Sequence, residues 1–212
     1  MYRTTLTIAL LAGLPMVATV GCSTAPTTIS DQQSLDIDAQ GSLRQAMVTD
    51  PTLRGALDRS AGYAVFPNAG SGGLIIGAAY GKGVLYQKGQ IVGYCDLTQG
   101  TIGATIGGKK YAEIVAFETP AELAKFKTGQ YAVSADATAV AIRAGAAANA
   151  QFKNNIMVFV YDQQGLMADA SLGSQSFRYT PAETARQAAS PMEGRDTSHG
   201  EMSNPGDPNM SR

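Results

Sequence analysis

GSGGLIIGAAYGKG, residues 70–83, places six glycines and a single lysine in fourteen positions and closes on a Gly-Lys pair. A phosphate-cradling loop, a membrane helix and a strand are the three readings, and spacing separates them. A Walker-type loop needs four residues between its first glycine and the Gly-Lys pair, and a Ser or Thr after it. Here Gly77 stands one position too close to Gly81-Lys82, and Gly83 follows. A dinucleotide fingerprint starting at Gly70 and Gly72 would need its last glycine at position 75, which is Ile75. Gly73, Gly77 and Gly81 keep the spacing of close-packed membrane helices, but the apolar run between Asn68 and Lys82 falls short of the roughly 20 residues that span a bilayer. As a strand, one face carries Gly73, Ile75, Gly77, Ala79 and Gly81, and the other Leu74, Ile76, Ala78, Tyr80 and Lys82. A face so nearly bare lets another backbone approach or lets a sheet bend sharply.

Outward from this stretch the alternating period continues. GYAVF reads as a strand stopped by Pro67-Asn68; GGLIIGAAYGKGVLYQ and QIVGYCDLTQG read as strands joined at Lys88-Gly89; TIGATIGG and KKYAEIVAF follow. TPAELAKFKTG predicts a helix with Thr119 as cap, Pro120 at its first position, Glu122 at the capping-box position and Gly129 at its exit. DATAVAIRAGAAANAQ fits helix by its alanines and strand by its Val, Ile and Gly pattern. NIMVFVYDQQGLMADASL reads as a hairpin turning near Gln164-Gly165, and SQSFRYT as one more strand. Before the strands, SLDIDAQGSLRQAMVTD and TLRGALDRSA carry helical spacing, parted by Asp50-Pro51, where Asp50 can cap a free backbone N–H. The expected fold is α+β: an antiparallel, strongly curved, glycine-rich meander tending to a barrel, with two N-terminal helices and an internal helix packed on it.

The N-terminus reads as an export signal, with Arg3 before an apolar stretch broken at Pro15 and then TVGC. This resembles the lipobox of lipoprotein signal peptides, with Thr19 where an aliphatic is usual, so Cys22 is the expected lipidation site. The expected organisation is a signal peptide at 1–21, a flexible tether at 22–33, one domain at 34–180 and a disordered tail at 181–212. With Cys22 acylated, Cys95 is an unpaired thiol in an apolar run and reads as a small core residue.

Chemistry is sparse. The formal charge of -1 gives no field for nucleic acid. The single histidine, His199, lies in the expected tail, where no rigid scaffold would hold it against a Ser or Cys, and no clustered carboxylates have metal-ligand spacing, so neither an enzyme nor a metal or other cofactor is expected. Asp96, Glu113, Glu118 and Asp136 are scattered and read as surface or turn carboxylates.

Taken together, AGYAVFPNAGSGGLIIGAAYGKGVLY, VGYCDLTQGTIGATIGG, YAEIVAFETPAELAKFKTGQYAVSADATAVAI and GLMADASLGSQSFRYTP resemble the SYLF domain family of lipid-binding proteins, from about Leu43 to Pro181. The resemblance implies a domain that binds phospholipid, and bacterial members are often exported behind a lipoprotein signal. Two departures stand out: Thr105 where many members have glutamine, and Ser174 splitting a Gly-Gln pair into Gly173-Ser174-Gln175. Eukaryotic members bind phosphoinositides through a basic N-terminal helix and in some cases bind actin. The corresponding segment here mixes Arg44, Arg54 and Arg59 with four aspartates, and an envelope protein would not meet actin. The expected function is thus a non-enzymatic lipoprotein, lipid-anchored on the periplasmic face of an outer membrane, gripping a second phospholipid surface. Candidate head-group contacts are Arg44, Arg54, Arg59, Lys82, Lys109 and Lys110. The alternative is a structural or protein-interaction lipoprotein without a lipid ligand.

Overall fold

A computed structural model describes residues 26, 28–73, 76–102, 105–129, 131–133, 139–161 and 174–189. The expected signal peptide, Cys22, the Gln164-Gly165 turn, Asp136, His199 and the tail from 190 onward lie outside the described residues. Among the described residues eight strands form one sheet: β1 (Gly62–Gly73), β2 (Ile76–Gln87), β3 (Gln90–Ile102), β4 (Thr105–Phe117), β5 (Tyr131–Val133), β6 (Ala139–Ala141), β7 (Ile156–Tyr161) and β8 (Ser174–Pro181). Their spatial order is β5-β8-β3-β2-β1-β4-β7-β6, antiparallel except for the β6–β7 pair. Helices α1 (Ile29–Thr49), α2 (Leu53–Asp58), α3 (Pro120–Lys127) and α4 (Ala182–Ala189) complete the α+β fold.

The glycine-rich stretch is a hairpin rather than one strand. Gly70–Gly73 end β1, β2 begins at Ile76, and Gly70, Ser71 and Gly72 pair with Tyr80, Ala79 and Ala78. Period-two alternation runs unbroken through this segment, and no Pro, Asn or Asp marks the reversal, so the pattern conceals it. Likewise Pro67-Asn68 does not stop β1. Pairing shifts register there against both β2 and β4, and a bulge is where a strand tolerates a residue without an N–H. The Lys88-Gly89 turn takes φ of 51° and 75°, the pairing of a two-residue hairpin loop.

The expected meander holds for β1–β2–β3, but β4 pairs with β1 on the far side. In a flat sheet Ile102 and Thr105 would stand three strand spacings apart, about 14 Å, whereas three Cα–Cα steps reach only about 11 Å. The sheet therefore curls. The curl carries β8 across to β4: Gln175 Nε2 donates to both carboxylate oxygens of Glu113 at 2.9 Å, although four strand positions separate them in the sheet.

Each face has its own core. Inside the curl, Phe66, Leu97, Val115, Phe117, Val158 and Phe177 pack beneath Leu123 and Phe126 of α3. Phe117 and Phe177 lie 4.7 and 5.7 Å from Phe126, ring centre to ring centre. On the outer face Val65, Val84, Tyr86, Tyr94, Ile114 and Phe159 are covered by α1, α2 and α4. The bare face of β2 serves the inner core: a Cβ at Gly83 would sit 2.5 Å from the Phe66 ring and 2.8 Å from the Val65 carbonyl. Cys95 is buried in that core, as expected, and burial pushes its thiol pKa well up.

The helix ends follow local chemistry. Thr119 accepts from the Glu122 N–H at 3.2 Å, Pro120 occupies the first turn, and Gly129 leaves at φ 89°. Asp50 does more than cap. Fully buried, its carboxylate accepts from Thr52 N–H (3.0 Å) and Oγ1 (2.6 Å), and from the N–H groups of Gly145 (3.1 Å) and Ala147 (2.7 Å). It ties the α1–α2 corner to the segment whose periodicity was ambiguous, which forms short β6 and a 3-10 turn at Ala147–Asn149.

Two boundaries differ from expectation. Residues 29–33, expected in the tether, belong to α1, which starts at Ile29 with Thr28 as its cap. Residues 182–189, expected in the tail, form α4. Buried Gln32 connects both corrections, donating through Nε2 to the Ala185 carbonyl at 2.9 Å. These helices contact the domain through small residues such as Ala39, Ala46, Ala182 and Ala185, which carry little hydrophobic signal.

Candidate functional site

Alternation along β3 and β8 divides one set of residues between two environments. Leu97 and Phe177 point inward, as do Gln99 and Gln175; Asp96, Thr98, Ser176 and Arg178 fall on the opposite face. Register then aligns the outward residues in two rungs across β2, β3 and β8. One joins Lys82 to Asp96 to Arg178; the next joins Tyr80 to Thr98 to Ser176 and continues to Ala132 of β5. Side chains directly opposite on neighbouring strands have Cβ atoms about 5 Å apart.

These rungs border a groove of about 1020 Å³, which Asn68 and Tyr131 also line. Tyr80 is 63% exposed, and Lys82 is exposed beside it. Asp96 is half-buried, and its Oδ1 is buried without a hydrogen-bond partner.

The expected head-group residues separate on this geometry. Lys82 lines the groove. Lys110 is exposed on β4 opposite Gly70, which in turn faces Tyr80, so register places Lys110 in line with the second rung. Lys109 pairs through its backbone with Ser71. Arg44, Arg54 and Arg59 are exposed on α1, on α2 and just past α2, away from the groove lining. Asp96, Arg178, Thr98 and Ser176, which also line the groove, were not singled out from the sequence. Alternation in CDLTQ and SQSFRYT shows that each pair shares a face, but the pairing of two segments about eighty positions apart is absent from local pattern.

Inside the curl lies a second polar group. Glu113 and Gln175 are both 0% exposed. Besides its bonds to Glu113, Gln175 Nε2 donates to Gln99 Oε1 at 3.0 Å, and Tyr111 Oη donates to that same oxygen at 3.2 Å. Gln175 Oε1 has no partner. Burial raises the Glu113 carboxyl to about 7, opposed by the Gln175 hydrogen bond; burial and then the Glu113 charge push the Tyr111 hydroxyl up. Glu113 is therefore a core carboxyl and not the surface or turn residue its position suggested. Glu118 is exposed as expected.

Among the described residues no group of three or more His, Cys, Asp or Glu could hold a metal ion, and no helix is long and apolar enough to cross a membrane. No protein-family model matches the chain. Over 128 residues it is 25% identical to a protein described as beta cell expansion factor A from Aeromonas veronii. The match covers 60% of this chain and 49% of that protein, so the chain spans about half the length of the relative it matches.

Proposed function

We propose that this chain is a non-enzymatic phospholipid-binding module, tethered to the periplasmic face of an outer membrane by acylated Cys22. The observation that carries this reading is the groove bordered by exposed Lys82 and Tyr80, with Lys110 in line with its second rung. An aromatic ring with a polar end and lysines on long stems suit the boundary between head groups and acyl chains. Each cation near an anionic surface contributes about 1 kcal/mol. The resemblance of the glycine-rich strands to SYLF domains supports the same reading. The curled sheet then serves as a rigid frame that holds the groove residues in register.

The full chain carrying Cys22→Ala, so that no acyl group masks the domain's own affinity, is mixed with neutral and anionic phospholipid vesicles and sedimented. Binding to anionic vesicles that fades as salt rises past about 0.1 M is expected, because exposed charges more than about 10 Å apart are then screened. Equal failure to bind both kinds of vesicle at low salt overturns the reading. The tether is tested separately: unchanged processing and membrane partitioning of Cys22→Ala in cells would remove Cys22 from the proposal.

A further inference from the structure

The two ends of the sheet differ in chemistry. Toward the Lys88-Gly89 turn the helices hold the strands: Lys127 of α3 donates to Gln87 Oε1 at 2.7 Å, a Cβ at Gly62 would meet Leu123 of α3 at 3.0 Å, and Tyr94 Oη donates to Asp36 of α1 at 3.5 Å. At the other end β1 finishes at Gly73 opposite Thr105, and β2 starts at Ile76 opposite Ile102. The chain carries no charged residue between Asn68 and Lys82, nor between Asp96 and Lys109, and register brings these two stretches together at that end. Charge resumes on the rungs behind it. Exposed Lys110 stands in line with Tyr80, and exposed Lys82 and Arg178 follow on either side of Asp96.

We propose that this uncharged end of β1–β4 enters a phospholipid surface, with the Tyr80 ring and the cations Lys82, Lys110 and Arg178 stopping at the level of the phosphates. This rests on the lipid-binding reading above and adds to it the part of the molecule that enters the membrane. Uncharged residues, then an aromatic with a polar end, then cations is the order of chemistry met on leaving a bilayer from acyl chains through the interface to the phosphates. Four residues of β2 lie beyond Tyr80, from Ala79 to Ile76, and at about 3.3 Å each they extend about 13 Å. That length covers the roughly 5–10 Å to which interfacial elements sink. The pairing of Gly73 with Thr105 and of Ile76 with Ile102 gives backbone groups partners that acyl chains do not offer. Three cations to one carboxylate, Asp96, leave the flanking band positive, which suits an anionic surface.

The chain has no tryptophan, so a single one reports only on its own position. Ile76→Trp and Ile102→Trp place it at the uncharged end, and Gln90→Trp places it beside the Lys88-Gly89 turn, each in the full chain bearing Cys22→Ala, with thermal melts verifying that the variants fold. On mixing with anionic phospholipid vesicles, the emission of Ile76→Trp and Ile102→Trp should move to the blue and be quenched by lipids brominated high on the acyl chain. Gln90→Trp should show neither change. Ile76→Asp, which places a charge in the entering end, should weaken vesicle binding by about tenfold. The tryptophan variants decide alone if Ile76→Asp does not fold. Vesicle binding without a blue shift or quenching in Ile76→Trp and Ile102→Trp would overturn this inference and leave the lipid-binding reading standing. So would equal quenching of Gln90→Trp, or unchanged affinity of a folded Ile76→Asp variant. Failure of the Cys22→Ala chain to bind neutral or anionic vesicles would overturn both.

Discussion

The interior cluster around Glu113 and the groove around Asp96 share strands β3 and β8, on opposite faces, and the environments they give a carboxylate are opposites. Inside, Glu113 is sealed with a single amide donor, and burial dominates its chemistry. Outside, Asp96 is half-open and neighbours Lys82 and Arg178 on its rung. One residue of shift along a strand is enough to move a side chain from one regime to the other. The interior polar group therefore reports on how the curl is held, and the exterior one on what the curl displays.

The sharpest way to break this division is at the glycine that lets the inner core close. Gly83→Ala should cost about 3 kcal/mol in urea or thermal unfolding, because the added methyl meets the Phe66 ring and a backbone carbonyl. Gly100→Ala, exposed and with no atom within 4 Å of the new methyl, should change stability by less than about 0.5 kcal/mol. Equal losses at the two positions would show that the inner face is not packed as described.

Next in size is Asp50→Ala, which strips the acceptor from three backbone N–H groups and a hydroxyl; about 2–3 kcal/mol should be lost at neutral pH. Burial pushes the Asp50 carboxyl up, yet the hydrogen bonds from Thr52, Ala147 and Gly145 outweigh this, and its pKa ends below the usual value of 3.8. The stability it provides is thus present above pH 3.8 and is lost as pH falls through the lowered value.

Glu113 carries the opposite sign. Its folded value of about 7 lies above the ordinary 4.5, so its favourable contribution is full below pH 4.5 and is lost as pH rises through 7. Glu113→Gln removes the charge and supplies an amide that can turn toward the orphaned Gln175 Oε1. Melts between pH 5 and 8 should show the variant more stable by roughly 2 kcal/mol at pH 8, with the slope over that window flattened. A variant less stable at pH 8, with the slope retained, would contradict the sealed interior.

The smallest effect belongs to the outer face. Lys82→Gln should leave the melting temperature within about a degree and weaken binding to anionic vesicles by about fivefold, with a shallower dependence on salt. A large loss of stability instead would make Lys82 part of the scaffold rather than of the display.

Much of this was legible in local pattern. Period-two alternation marked the strand-forming regions but not the β1–β2 reversal, the Thr119–Pro120–Glu122–Gly129 series fixed α3, and the bare face of β2 pointed to the close approach seen at Gly83. Lys82, Lys109 and Lys110 were singled out as strand-end cations, but they lie within β2 and β4, because those strands run further than local pattern indicated. The missing part depends on long-range pairing. Nothing local in CDLTQ or SQSFRYT says that β3 and β8 are neighbours, so the Lys82–Asp96–Arg178 rung could not be assembled. Glu113 looked exposed because isolated carboxylates usually are, and only the curl that carries Gln175 across the sheet buries it. Helices α1 and α4 extended beyond expectation because alanines and the Gln32–Ala185 bond, not an apolar stripe, hold their ends.

Among the described residues the curled sheet has two borders, and both are short: β5 and β6 offer three residues apiece, one paired to β8 and the other running parallel to β7. Borders so brief give an incoming strand few backbone groups to template on, which limits edge-to-edge aggregation of a glycine-rich sheet. A high local concentration of such a protein would then not by itself seed a shared sheet.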